Sequence, residues 1–231
     1  MATIARVLGT ILTLLSLVCT GQQLDYKTWK EESRENIRLL PEYGNAPKSK
    51  DQKAADEDFI ALSLKQDGTR EKASQHLVDL GFNYLYRGDI RTAMYRFNQA
   101  WLLNPMNDNA YWGFGAVYFV FNDFESAIGQ YKKGLSINSK SSNILTDVAT
   151  IYLQRFTTGG VKANLDSARN IFVRSYLINP KNQNTLFKLS ATNFLDGDCE
   201  SALKYFNECE ALGGKPITPQ YRDAIRQKCG K

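Results

Sequence analysis

Few residues in this 231-residue chain are of types that could do chemistry: one histidine, four cysteines and two short acidic clusters. A single imidazole, His76, cannot build a His-rich metal site, and no thiol lies near it in sequence. Cys199, Cys209 and Cys229 show no Cys-x-x-Cys spacing, and neither G-x-G-x-x-G nor G-x-x-x-x-G-K-[ST] occurs. Asp56-Glu57-Asp58 lacks the turn glycine of a calcium loop and has Lys53 beside it. Asp196-Gly197-Asp198 offers too few ligands and reads as a turn. No catalytic residue, metal or cofactor is nominated, and the chain reads as a non-enzyme.

Charge narrows the partners. The net value is +5, with residues 22–71 carrying 9 positive and 11 negative groups, and 142–231 carrying 12 and 8. Basic residues form no dense stripe with interleaved aromatics, so a nucleic-acid partner is not expected.

The elements that must position any working surface recur every 34 residues. Leu77, Leu80, Gly81, Tyr84, Ala93, Phe97, Ala100 and Pro105 return as Tyr111, Phe114, Gly115, Tyr118, Ala127, Tyr131, Gly134 and Ser139. A third copy (Leu145, Val148, Ala149, Tyr152, Ala168, Phe172, Ser175, Pro180) carries a seven-residue delay before its second half, the insertion Arg155–Asp166. A fourth (Leu186, Leu189, Ser190, Asn193, Ala202, Phe206, Cys209, Gly214) departs at Asn193 and Gly214. The apolar positions fall at helical spacing in two runs per unit, so each unit is a helix pair. Small residues at Gly81, Gly115, Ala149 and Ser190 permit close approach. One hairpin cannot bury its own stripe, so units must stack.

These residues resemble the tetratricopeptide repeat over residues 74–216. The resemblance implies an all-α fold, a right-handed superhelix of stacked antiparallel helix pairs with about four repeats and helical caps. It implies no enzymatic activity but a protein or peptide partner held in a concave groove. That groove would be lined by Phe82, Tyr86, Asn109, Trp112, Phe119, Asn143, Asn184, Phe187 and Phe194, with Gln75, Val78, Leu85, Ala116, Val120, Thr146, Thr150, Leu153, Gln154, Ala191 and Leu195 among them. The clamp that some family members use for a C-terminal carboxylate is missing, because Val78 and Phe82 stand where Lys and Asn are needed. Lys188 is the only basic residue near the groove in the fourth repeat. Three covers remain open for so apolar a floor: neighbouring first helices, the chain's own residues 22–45, or a partner anchored by Trp112. Association of copies through the groove is also open. In this architecture Cys199, opening one helix, meets Cys229, ending an antiparallel one, and a disulfide is expected. Three unpaired thiols are the alternative, and Cys209 is a buried free thiol in either case.

The ends carry separate signals. Arg6 and the apolar run Val7–Cys19 predict a signal peptide over 1–21, cleaved to leave Gln22, with an uncleaved anchor as the alternative. No later run is long enough to span a membrane. Residues 22–73 read as an N-terminal helical segment, helical from Tyr26 to Leu40 and broken at Pro41–Pro47, followed by a half-repeat over 51–66 with Ala55, Phe59 and Leu62 inward. Residues 217–231 read as a capping helix opened by Thr218-Pro219. The expectation is an exported scaffold or adaptor of the bacterial periplasm. A small apolar-ligand carrier or an accessory subunit of an envelope enzyme is the competing reading.

Overall fold

The computed structural model describes residues 24–230, which form eleven α-helices and two short 3-10 segments with no strand among them. The signal-peptide reading lies outside the described residues. Among those described, no helix is long and apolar enough to cross a membrane. The chain divides into two compact units, residues 24–139 and 140–230.

In the first unit, α1 (Tyr26–Glu35) is followed by 3-10 turns at Ile37–Leu39 and Pro41–Asn45. Next come α2 (Lys50–Asp67) and two hairpins, α3 (Arg70–Tyr86) with α4 (Ile90–Leu103) and α5 (Asp108–Val120) with α6 (Phe124–Ile137). Both hairpins turn the same way. Gly88 and Asn122 adopt left-handed φ of 81° and 59°. The next residues, Asp89 and Asp123, cap the second helices by accepting from the Thr92 and Ser126 amides at 3.1 Å. The glycines of the repeat make room for rings. A Cβ on Gly81 would lie 2.5 Å from Phe97 Cε1, and one on Gly115 2.2 Å from Tyr131 Cε1. Gly113, outside the repeat signature, would place its Cβ 2.2 Å from Phe97 Cδ1. The Phe97 ring is thus held between α3 and α5.

The half-repeat helix is longer than expected and is rotated. Ser49 and Gln52 form a reciprocal capping box at its start. Phe59, Ile60 and Ser63 turn inward, whereas Ala55 is exposed and Leu62 is 65% exposed. Its close packing is mainly against α3, which needs only a narrow stripe.

The N-terminal segment takes neither a groove path nor a single helical one. Its buried Trp29 packs on Phe121 at 5.3 Å, Glu32 pairs with Arg91, and Asn36 donates to the Tyr95 hydroxyl at 2.9 Å. Asn98, fully buried on α4, holds the turn: its Nδ2 donates to the Arg38 and Leu40 carbonyls at 2.9 Å and its Oδ1 accepts the Tyr43 amide at 3.1 Å. Glu42 accepts from Lys133 of α6 at 2.8 Å. The segment therefore straps the side of the unit formed by second helices, which removes one of the three open covers for the groove.

The second unit holds α7 (Ser142–Gly159), α8 (Lys162–Ile178), α9 (Gln183–Asp196), α10 (Cys199–Ala211) and α11 (Pro219–Cys229). The insertion lengthens both helices of its hairpin to 18 and 17 residues, turning at left-handed Gly160. Thr218 caps α11 by accepting the Tyr221 amide at 3.2 Å. Cys199 and Cys229 are disulfide-bonded with Cα atoms 5.2 Å apart. Cys209 is a buried free thiol, its pKa pushed up to about 11 by burial.

Candidate protein-interaction face

The nominated groove residues divide sharply between the units. In the first, α3 and α5 lie side by side and their Phe82 and Trp112 rings pack at 4.1 Å between centroids. Phe82 also meets Tyr86 at 6.0 Å and, from behind, Phe97 at 5.1 Å. Phe82 is buried, yet Tyr86 is 72% exposed, and Trp112, Ala116 and Phe119 are half-buried. Val120 is also exposed, while Val78 and Leu85 belong to the core. The N-terminal ends of the same helices carry a polar row. Asn109 Nδ2 donates to Gln75 Oε1 at 3.1 Å, and Gln75 Nε2 donates to Asp79 at 2.9 Å. One face thus presents an aromatic step bordered by amides and one carboxylate.

The second unit corrects the expectation. Phe187 and Phe194 do not line an open face: they are buried against Tyr221 of α11 at 5.3 and 5.7 Å. Helix α11 docks on α9 and α10 as another first helix would, and Tyr221 fills the seam. Thr146, Thr150, Leu153 and Ala191 are buried too, whereas Gln154 and Leu195 are partly covered. Asn143 and Asn184 remain exposed. Asn143 accepts from Asn182 Nδ2 at 3.2 Å, and the Asn184 backbone amide serves the helix cap.

Lys188 turns into the unit and donates to Thr150 Oγ1 at 2.8 Å. Burial pulls its pKa below the usual lysine value, against the nearby Asp147 carboxylate, which pulls the other way. His76 is largely exposed beside Asp67 at 3.2 Å. Asp56 pairs with Lys48, and among the described residues no group of three or more metal-ligating side chains assembles.

The fold defines the class: stacked helix pairs with the hairpin geometry of tetratricopeptide repeat proteins. No family model matches the sequence, and no curated protein matches it. Solved structures do. The chain is similar to pilF of Pseudomonas aeruginosa at 18% identity and TM-score 0.55, over 69% of this chain and 70% of that one. It is similar to TTC0263, a thermophilic TPR protein of Thermus thermophilus, at 17% identity and TM-score 0.55, over 67% and 80%. Against the Cut9–Hcn1 structure the TM-score is 0.53 at 16% identity, over 84% of this chain and 34% of that one. At these identities the likeness concerns the fold.

Proposed function

We propose that the chain is a non-enzymatic scaffold that holds a protein partner on the α3–α5 face. The observation that carries this is the aromatic step there, Phe82 under Trp112 with Tyr86 and Phe119 beside it, left partly open to water. A half-buried Trp in a preformed aromatic setting is the kind of anchor that dominates interfaces. The bordering Gln75, Asn109 and Asp79 fit a segment that offers an apolar side chain to Trp112 and backbone amides or a cation to the polar row. We assign the scaffold to the cell envelope as an exported adaptor or assembly factor. The leader-like residues 1–21 and the Cys199–Cys229 disulfide support an oxidising compartment.

The test is affinity capture from the native envelope, comparing the mature protein with a Trp112→Ala/Phe119→Ala variant. A protein captured by the first and lost in the second is the expected result. Capture that ignores the substitutions overturns this face as the site. A mass that rises with concentration, and falls in the variant, identifies a second copy as the occupant.

A further inference from the structure

Away from the α3–α5 face, the strap borders a half-open cavity of about 290 Å3 that it shares with α2 and α4. Its wall is part apolar, from Ile37, Phe59 and Leu102, and part ionic, from Arg38, Lys48 and Asp56. Lys48 is spent internally: it pairs with Asp56 and sits over the Tyr43 ring at 3.8 Å. Arg38 is not spent. Its guanidinium stacks on the Tyr95 ring at 4.0 Å and has no acidic partner among the described residues. The cavity lining therefore carries one net positive charge, that of the exposed Arg38.

Tyr43 is the telling residue. It is nine-tenths buried and lines the cavity, yet its hydroxyl makes no hydrogen bond among the described residues. That hydroxyl reaches water instead of being sealed in, so it is a donor left free for a ligand atom. Burial raises its pKa, which keeps it a donor. The backbone that presents it is held away from ordinary geometry: Glu42, Tyr43, Gly44 and Asn45 all have φ between 52° and 65°. Left-handed residues other than glycine cost about 1–2 kcal/mol each. Asn98 and Lys133 maintain that conformation through the bonds described above.

We propose that this cavity binds a small organic acid, its carboxylate on Arg38 and Tyr43 and its apolar body against Ile37, Phe59 and Leu102. A planar guanidinium fork and a hydroxyl donor match a carboxylate. At about 30 Å3 of liquid volume per water the space holds about ten waters' worth, the size of a single-ring or medium-chain acid. The site does not depend on the α3–α5 face.

The experiment is NMR titration of the full mature chain with 3-phenylpropionate, octanoate and the neutral 3-phenylpropionamide. The expected result is saturable shifts at Tyr43 and Phe59 with at least one acid, and at least tenfold weaker binding of the amide. Arg38→Gln, a surface change, weakens the acid at least tenfold; Tyr43→Phe weakens it several-fold; Trp112→Ala/Phe119→Ala leaves it unchanged. No saturable binding by either acid, equal binding of the amide, shifts mapping to α3 and α5, or an unaltered affinity in Arg38→Gln each overturns the proposal.

Discussion

Between the α3–α4 hairpin and α5, the seam is filled by Val78, Ala100 and Ala110, all buried. Between the α7–α8 hairpin and α9, the same three places of the repeat hold Thr146, Ser175 and Thr185, equally buried. The frame around them is shared. Asn107 caps α5 and donates to Ser74 Oγ at 2.8 Å; Asn182 caps α9 and donates to Ser142 Oγ at 3.2 Å. Inside the frame one seam is greasy and the other is a closed hydroxyl cluster, with Thr146 and Ser175 both 2.8 Å from the Ser142 carbonyl oxygen and Thr185 2.6 Å from Thr146. A further pair differs in kind. Where Gly113 admits the Phe97 ring in the first unit, the second has Lys188. The repeat thus prescribes backbone spacing and caps, and leaves the filling to whatever set of side chains satisfies itself.

The units are also closed differently, the first by a strap on its side and the second by a bonded helix at its end. The largest expected effect tests the second closure. Cys229→Ser opens a loop with a sequence separation of 30 and costs the second unit about 3.5 kcal/mol on the chain-entropy account. Circular dichroism during urea unfolding reads it. Tryptophan fluorescence reports the first unit, because Trp29, Trp101 and Trp112 all lie there. An unchanged transition in Cys229→Ser would mean that Tyr221 packing alone holds the cap.

Gly113→Ala comes next and tests the first seam. Phe97 is fully buried and cannot retreat, since Gly81 already crowds its other face. Overpacking costs about 1–3 kcal/mol, at the upper end for a contact this close to a trapped ring, and helix propensity returns about 1, so a net loss of about 2 kcal/mol is expected in the fluorescence transition. The first unit should lose more here than at Gly129, where an added Cβ meets nothing within 4 Å.

How far the sequence reaches follows from the same comparison. The helix pairs, the turn aspartates and the closeness at Gly81 and Gly115 were legible because each is local and recurs at the period. Gly113 was missed because it is specific to one seam. Its signal, a second glycine two residues from Gly115 in an apolar helix, was present. The strap's course was not legible: it rests on contacts 55–97 residues away in sequence, such as Tyr43 with Asn98 and Tyr26 with Asp123. The one cue was a lone Asn beside Phe97 in a helix that otherwise turns apolar groups inward. Glu42 and Tyr43 in left-handed geometry have no sequence cue beyond the neighbouring Gly44-Asn45. Phe187 and Phe194 were misplaced because the capping helix acts as one more first helix, which Tyr221 alone could have indicated.

The hydroxyl seam gives a smaller effect with a reversal inside it. Ser175→Ala deprives Thr146 and Thr185 of a shared partner and costs about 1–2 kcal/mol. Thr146→Val/Ser175→Ala/Thr185→Ala copies the first seam, leaves no orphaned hydroxyl in the cluster, and should return to within about 1 kcal/mol of the parent. A triple variant as weak as the sum of its parts would show that the two seams differ in backbone spacing as well as filling.

Lys188 gives the smallest effect and the one that depends on pH. Burial favours the neutral amine, so the folded pKa lies below the ordinary 10.5 of the unfolded chain. Between those two values the unfolded chain binds more protons, and stability rises with pH. Below the folded pKa the cost of burying the charge is present in full. Lys188→Met removes that cost and keeps the volume, so at pH 7 the variant should be more stable by about 1 kcal/mol. The advantage should shrink as pH rises toward 10.5, which paired urea titrations at neutral and alkaline pH would measure. A variant that is less stable at pH 7, with no change in slope, would show that the bond to Thr150 and the pull of Asp147 outweigh desolvation. Lys188 would then be the filling of its seam in the same sense that Phe97 is of the other.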